Sequence, residues 1–171
     1  MKNNKISVDK NYLINFEKKI INLYENKKIK GPIHLSGGNE KKLIKIFKNI
    51  KKNDWVFSGW RNHYHALLKG LNPIYIENEI IRGKSMNLND LKKKFFTSSI
   101  VGGILPIALG VALALKLKKK KSKVWVFIGD MTYETGGFYE CYKYAKNFKL
   151  PIKFIVEDNN MSTNTNTKVV W

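Results

Sequence analysis

Cysteine is almost absent from this 171-residue chain, where Cys141 stands alone. One thiol cannot close an internal disulfide, so the core has to hold the fold, and a reducing cytoplasm is the expected setting. Arginine is nearly as scarce, occurring only at Arg61 and Arg82 within 32 basic residues. Acidic residues number 13, leaving a formal net charge of +19 carried almost wholly by lysine. Nucleic-acid recognition leans on the bidentate guanidinium fork. Lysine excess alongside abundant Asn and Ile reads instead as a solvated surface, so no nucleic-acid partner is expected.

A long apolar run is also missing. Ile100–Leu115 is nearly all apolar and meets the lysines that follow, but it carries Gly102, Gly103, Pro106 and Gly110. It is shorter than the ~18 residues that mark a membrane span, so it reads as a buried helix and no membrane partner is expected. Met1 to Tyr12 is polar, without the apolar heart of a signal peptide. Zinc ligation lacks a cysteine pair or a third histidine near His63 and His65.

What is present is a globular composition, 43% hydrophobic and 12% aromatic, in a length suited to one domain. Tyr12, Leu13, Phe16, Ile20, Ile21 and Tyr24 recur at helical spacing, which predicts an N-terminal helical segment within residues 1–30. Leu43, Ile44, Ile46, Phe47 and Ile50 mark a second helix, and Asp54–Ser58 a short strand. Residues 72–96 read as irregular, with helical turns at Ile74–Ile81 and Asn89–Lys94. A helix begins near Pro106. Lys123–Ile128 and Ile152–Val156 read as strands buried on both faces, joined by a helix over about Gly137–Phe148. The alternation predicts an α/β fold, a parallel sheet with helices on both faces, over residues 31–171 of a single domain.

Two parallel strands joined by one helix open their carboxyl ends on the same sheet edge, where ligands of such folds bind. Asp130 follows the first of these strands and Asn159 the second. An acidic oxygen and an amide oxygen near one point suit Mg²⁺ shared with a diphosphate. The same residues read equally well as a helix cap and an ordinary turn.

Motifs in series add to this. Gly129-Asp130-Met131, Gly136, Glu140, Ala145, Leu150-Pro151 and Glu157-Asp158-Asn159 resemble the thiamine diphosphate signature. Ser99–Gly103 with Pro106, Gly110 and Ala112, then Trp60-Arg61-Asn62-His63 with His65, resemble segments of the alpha subunits of 2-oxo acid dehydrogenases. Gly83–Met86 and His34-Leu35 with Glu40 resemble two further elements of that family. The five segments occur in the family's order across about residues 30 to 167.

The resemblance implies a thiamine diphosphate-binding fold and, as cofactors, thiamine diphosphate with Mg²⁺. It implies that Asp130 and Asn159 bind the metal with the main-chain carbonyl of Met161, and that Arg61 clamps the diphosphate beside Trp60, Gly129 and Met131. Ser99 and Val101 fall at the aminopyrimidine, and His63 falls near the reacting centre as the candidate catalytic residue. It further implies a hetero-oligomer, in which a beta-type subunit supplies the activating glutamate and a lipoyl carrier takes the acyl group. Met131 stands at the signature's second Gly, where a side chain conflicts with a positive φ or a close backbone approach. The family's alpha subunits run on past Trp171, so a C-terminally incomplete sheet is expected, with an edge that needs covering. The competing readings are the N-terminal half of a transketolase-like enzyme and a truncated, non-catalytic basic binding module.

Overall fold

The structure, a computed structural model, describes residues 8–170. Helix α1 (Lys10–Glu25) starts at Asp9, whose side chain accepts from Tyr12 N at 2.8 Å, a cap worth about 1 kcal/mol. Helix α2 (Glu40–Phe47) leads to strand β1 (Trp55–Ser58), then to α3 (His63–Lys69) and α4 (Pro73–Ile81). Strand β2 (Phe95–Thr97) precedes α5 (Ile104–Leu117), and β3 (Val124–Gly129) runs into the single turn α6 (Asp130–Tyr133). After α7 (Gly136–Asn147) and β4 (Ile152–Glu157) come a small hairpin, β5 (Met161–Ser162) with β6 (Thr165–Asn166), and the turn α8 (Thr167–Val170).

The four main strands pair in parallel in the order β2-β1-β3-β4. Strict alternation along β3 divides the core. Trp125 and Phe127 join the cluster built from Leu13, Phe16 and Ile20 of α1, Leu43 and Phe47 of α2, and Tyr64 and Leu67 of α3. Val124, Val126 and Ile128 face the other way, onto Leu105, Ala108 and Ala112 of α5 and Phe138 and Ala145 of α7. Helices thus cover both faces, as the apolar pattern predicts. Each fully buried large side chain contributes about 1.5–3 kcal/mol, and α1 shares one cluster with the sheet instead of standing apart.

Three expectations need correction. The helical turns expected at Ile74–Ile81 form a regular helix: Asn72 caps α4, its side chain accepting from Ile74 N at 2.8 Å, with Pro73 at the first helical position, while residues 82–94 carry no helix or strand. Asn89–Lys94 is not helical but a turn in which Asp90 and Phe95 exchange two backbone hydrogen bonds of 3.0 Å before β2 begins. Strand β4 is not buried on both faces. It pairs only with β3 in this sheet, and its residues are half-buried apart from exposed Lys153. Helix α5 has 14 residues, and no described helix is long and apolar enough to cross a membrane.

Candidate functional site

The sheet order fixes where a ligand can sit. The chain leaves β1 toward β2 on one side and leaves β3 toward β4 on the other, so the carboxyl ends of β1 and β3 flank a switch point. Around it lies a cavity of about 560 Å³, within the range of small-molecule sites. Its wall includes Ser58–Arg61 after β1, Ser98 and Ile100–Gly102 after β2, Gly129–Thr132 after β3 and Glu157–Asn159 after β4. Met161–Thr163 and the loop Ser36–Asn39 complete the rim.

Asp130 is the first residue of α6, because β3 ends at Gly129 and the chain turns there into helix. Its Oδ1 accepts from Met131 N at 2.9 Å. Its Oδ2 is buried and has no hydrogen-bond partner among the described residues. A buried carboxylate oxygen left unpaired costs about 1–3 kcal/mol or more, so this atom, in a residue that lines the cavity, lacks a partner it needs. Asn159 is exposed, and its Oδ1 accepts from Met161 N at 3.1 Å, which leaves a second lone pair. A carboxylate, an amide oxygen and a nearby main-chain carbonyl at Met161 form a hard-oxygen set, which could hold Mg²⁺ rather than a soft metal. No group of three or more His, Cys, Asp or Glu placed to hold a metal ion is found among the described residues.

Met131 sits in α6 with helical backbone and is not among the residues with positive φ, so this position does not require glycine. The turn ahead of α5 does favour one: Gly102 has a φ of +73°, and a Cβ on Gly103 would lie a tight 3.1 Å from Ile100 Cβ. That tight turn places Ile100 and Val101 on the wall, 70% and 49% exposed. Ser99 is not part of the wall; its N–H donates to Asn87 Oδ1 at 3.3 Å, and Ser98 lines the cavity instead.

Trp60 and Arg61 line the cavity on a strap held from below by Asn62. Asn62 is fully buried, and its Nδ2 donates to Gly59 O (3.1 Å), Trp60 O (3.2 Å) and Met86 O (3.2 Å). The His34 ring stacks on Trp60 with centroids 5.4 Å apart. Burial first, then the Arg61 cation and His63, push the His34 imidazole below its usual range, so it is neutral at neutral pH.

His63, the candidate catalytic residue, is not among the residues that line the cavity. It is fully buried and off the cavity wall, its Nε2 2.8 Å from Ser85 Oγ and its Nδ1 3.3 Å from Glu17 Oε1. His65 is likewise buried, between Ser58 Oγ (3.2 Å) and Glu157 Oε2 (3.1 Å). In both rings the carboxylate is close but too far off line for a good hydrogen bond. Helix α3 is enclosed over its first five residues, His63 to Leu67, all of which are buried.

Sequence reasoning named Asn62 and Glu157 only as motif residues without a role, and missed Glu17. Glu17 had a readable signal, since it falls on the apolar face of α1 beside Phe16 and Ile20.

Residues 9–169 match the family described as dehydrogenase E1 component. The chain belongs to that family. Among relatives of this E1 component chain, the pyruvate dehydrogenase E1 component subunit alpha of Rickettsia prowazekii (strain Madrid E) is 33% identical over 160 residues, 88% of this chain and 49% of the relative. The chloroplastic subunit alpha-3 of Arabidopsis thaliana is 30% identical over 84% of this chain and 37% of the relative. The chain thus spans about half the length, or less, of the curated relatives it matches. A solved structure described as a thiamin diphosphate-dependent enzyme from Mycobacterium smegmatis shares the fold, with a TM-score of 0.50 at 21% identity, over 74% of this chain and 21% of that one. Family membership favours the dehydrogenase reading of Trp60–His65 over the transketolase-like alternative.

Proposed function

We propose that this E1 component chain forms the diphosphate-holding part of an alpha-type subunit in a thiamine diphosphate-dependent 2-oxo acid dehydrogenase. The observation that carries the proposal is the buried, unpartnered Oδ2 of Asp130 on a cavity wall shared with Asn159, Met161 and Arg61. A divalent cation is the partner such an oxygen lacks, and a diphosphate is the ligand that brings one.

In this reading Asp130, Asn159 and the Met161 carbonyl hold Mg²⁺. Arg61 takes diphosphate oxygens with its planar fork. Trp60 closes the wall beside it, backed by neutral His34. Gly129 leaves the approach over β3 open, since no heavy atom outside its chain neighbours lies within 4 Å of a Cβ placed there. Val101 and Ser98 bound the other end, toward the aminopyrimidine. When bound, the cofactor supplies the carbanion chemistry that releases CO₂ from a 2-oxo acid. The activating glutamate belongs to a beta-type partner, and the acyl group passes to a lipoyl carrier. Both assignments rest on family membership, as does the hetero-oligomer they require.

Calorimetry with thiamine diphosphate and Mg²⁺, on the chain alone and with a beta-type partner, tests the reading. Mg²⁺-dependent uptake that Asp130→Ala abolishes supports it. Uptake by that variant at wild-type strength would sink the site.

A further inference from the structure

The rim loop Ser36-Gly37-Gly38-Asn39, just ahead of α2, has the composition of a phosphate-gripping turn, in which glycines let consecutive amides converge on an anion. Its hydrogens point the other way. Ser36 N donates to Glu17 Oε1 at 2.8 Å and Gly37 N to Glu17 Oε2 at 3.4 Å. Gly38 N donates to Glu40 Oε1 at 2.8 Å, and Asn39 Nδ2 to Glu157 Oε1 at 2.7 Å. Acidic residues number 13 in a chain of net charge +19, yet three of them, from α1, α2 and β4, turn inward on one four-residue loop. With φ of +88°, Gly38 adopts the left-handed turn that brings its N–H back to Glu40.

Glu17 is the member farthest from the cavity in the chain, and it is 4% exposed. Its carboxylate takes two amides, with His63 Nδ1 behind it at 3.3 Å and Tyr64 beside it. Burial, Glu17 and Glu40 all raise the Tyr64 phenol, which therefore stays protonated and donates to Glu40 Oε1 at 3.4 Å. Tyr64 thus presents a donor to the rim's carboxylates. Charge-assisted bonds of this kind are roughly twice as strong as neutral ones, and buried ones hold geometry tightly.

We infer that Glu17 is a positioning residue of the cavity, fixing the Ser36–Asn39 wall by drawing the amides of Ser36 and Gly37 into the protein. The rim is then a preset wall and not an anion cradle, so the diphosphate is left to Arg61 and the cation site across the cavity. The inference rests on the proposed cofactor reading for its ligand but not for its geometry. Helix α1, which contributes no side chain to the wall, controls the wall's shape.

The full chain is tested as wild type, Glu17→Met and Glu17→Gln, by amide hydrogen exchange and melting temperature, and by calorimetry with thiamine diphosphate and Mg²⁺ in the presence of a beta-type partner. Met has similar length and no acceptor for either amide, whereas Gln restores one. In Glu17→Met, exchange at Ser36 and Gly37 should rise about tenfold or more, Gly38 should change less, and cofactor affinity should fall about tenfold. Glu17→Gln should restore protection at Ser36 but not Gly37, and recover part of the affinity.

Unchanged exchange at Ser36 and Gly37 overturns the inference. So does faster exchange with affinity within about twofold of wild type. A third contrary result is a general loss of protection and melting temperature with no recovery in Gln, which marks a purely structural role. If wild type with a beta-type partner takes up no cofactor, the functional reading fails, and the exchange pattern alone decides whether Glu17 sets the rim. If Glu17→Met does not fold, the Ser36/Gly37 split in Glu17→Gln decides.

Discussion

Trp125 Nε1 donates to Asp54 Oδ2 at 3.1 Å, joining the residue before β1 to the second residue of β3 beneath the sheet. The same carboxylate accepts from Lys51 N (3.0 Å) and Lys123 N (2.8 Å), and Asp54 is 2% exposed. Three donors on one buried carboxylate tie the start of both central strands together. Asp54→Asn presents an NH₂ group to at least one of those donors, so a loss of about 2–4 kcal/mol in unfolding free energy is expected, measured by urea titration. A loss below about 0.5 kcal/mol would mean the three bonds add little beyond packing.

Met131→Gly tests the departure from the signature. Because Met131 has helical backbone, glycine relieves no strain, and α6 should lose about 1 kcal/mol of helix preference. Mg²⁺-dependent cofactor affinity should not improve. An improvement of about tenfold would show that the Met131 side chain obstructs the cavity it lines.

Much of this arrangement is written in local pattern. The unbroken apolar run Val124–Ile128 reads as a buried strand, and the parallel pairing of β3 with β4 through one helix brings Asp130 and Asn159 to the same edge. Other parts depend on partners remote in the chain. Strand β2 is only three residues long and follows a turn, and what makes it a strand is pairing with Val56–Ser58. Burial of His63 likewise depends on Ser85 and Glu17, which lie 22 and 46 positions away, so the motif gave its identity without its depth. Strand β4 has a buried strand's composition but lies at the edge of the observed sheet, where burial depends on what packs outside it.

Arg61→Lys separates charge from shape at the proposed diphosphate clamp. Lysine keeps the positive charge but loses the planar, two-pronged donor geometry. Affinity for thiamine diphosphate with Mg²⁺ should fall about tenfold, a loss of one bidentate charge-assisted pair, while melting temperature stays within a few degrees. Calorimetry at two salt concentrations checks this. Equal affinity for both proteins would reduce Arg61 to a source of general positive potential.

His34 gives the chain a pH dependence with a defined sign. Burial, then the Arg61 cation and His63, hold its folded-state imidazole below the ordinary value of 6.5. As pH falls past that value, the unfolded chain takes up the proton first, so protons favour unfolding. The contribution is fully present above the unfolded value and is lost as pH falls through the folded one. Melting temperature should therefore drop between about pH 7.5 and about pH 5.5, ahead of the usual carboxylate range. His34→Phe keeps a flat ring against Trp60 but cannot titrate, so its melting temperature should fall less over the same interval. The group is partly exposed and solvent screens part of the effect, so the comparison is between the two slopes and not between absolute stabilities. Parallel slopes for the two proteins would remove His34 as the titrating group.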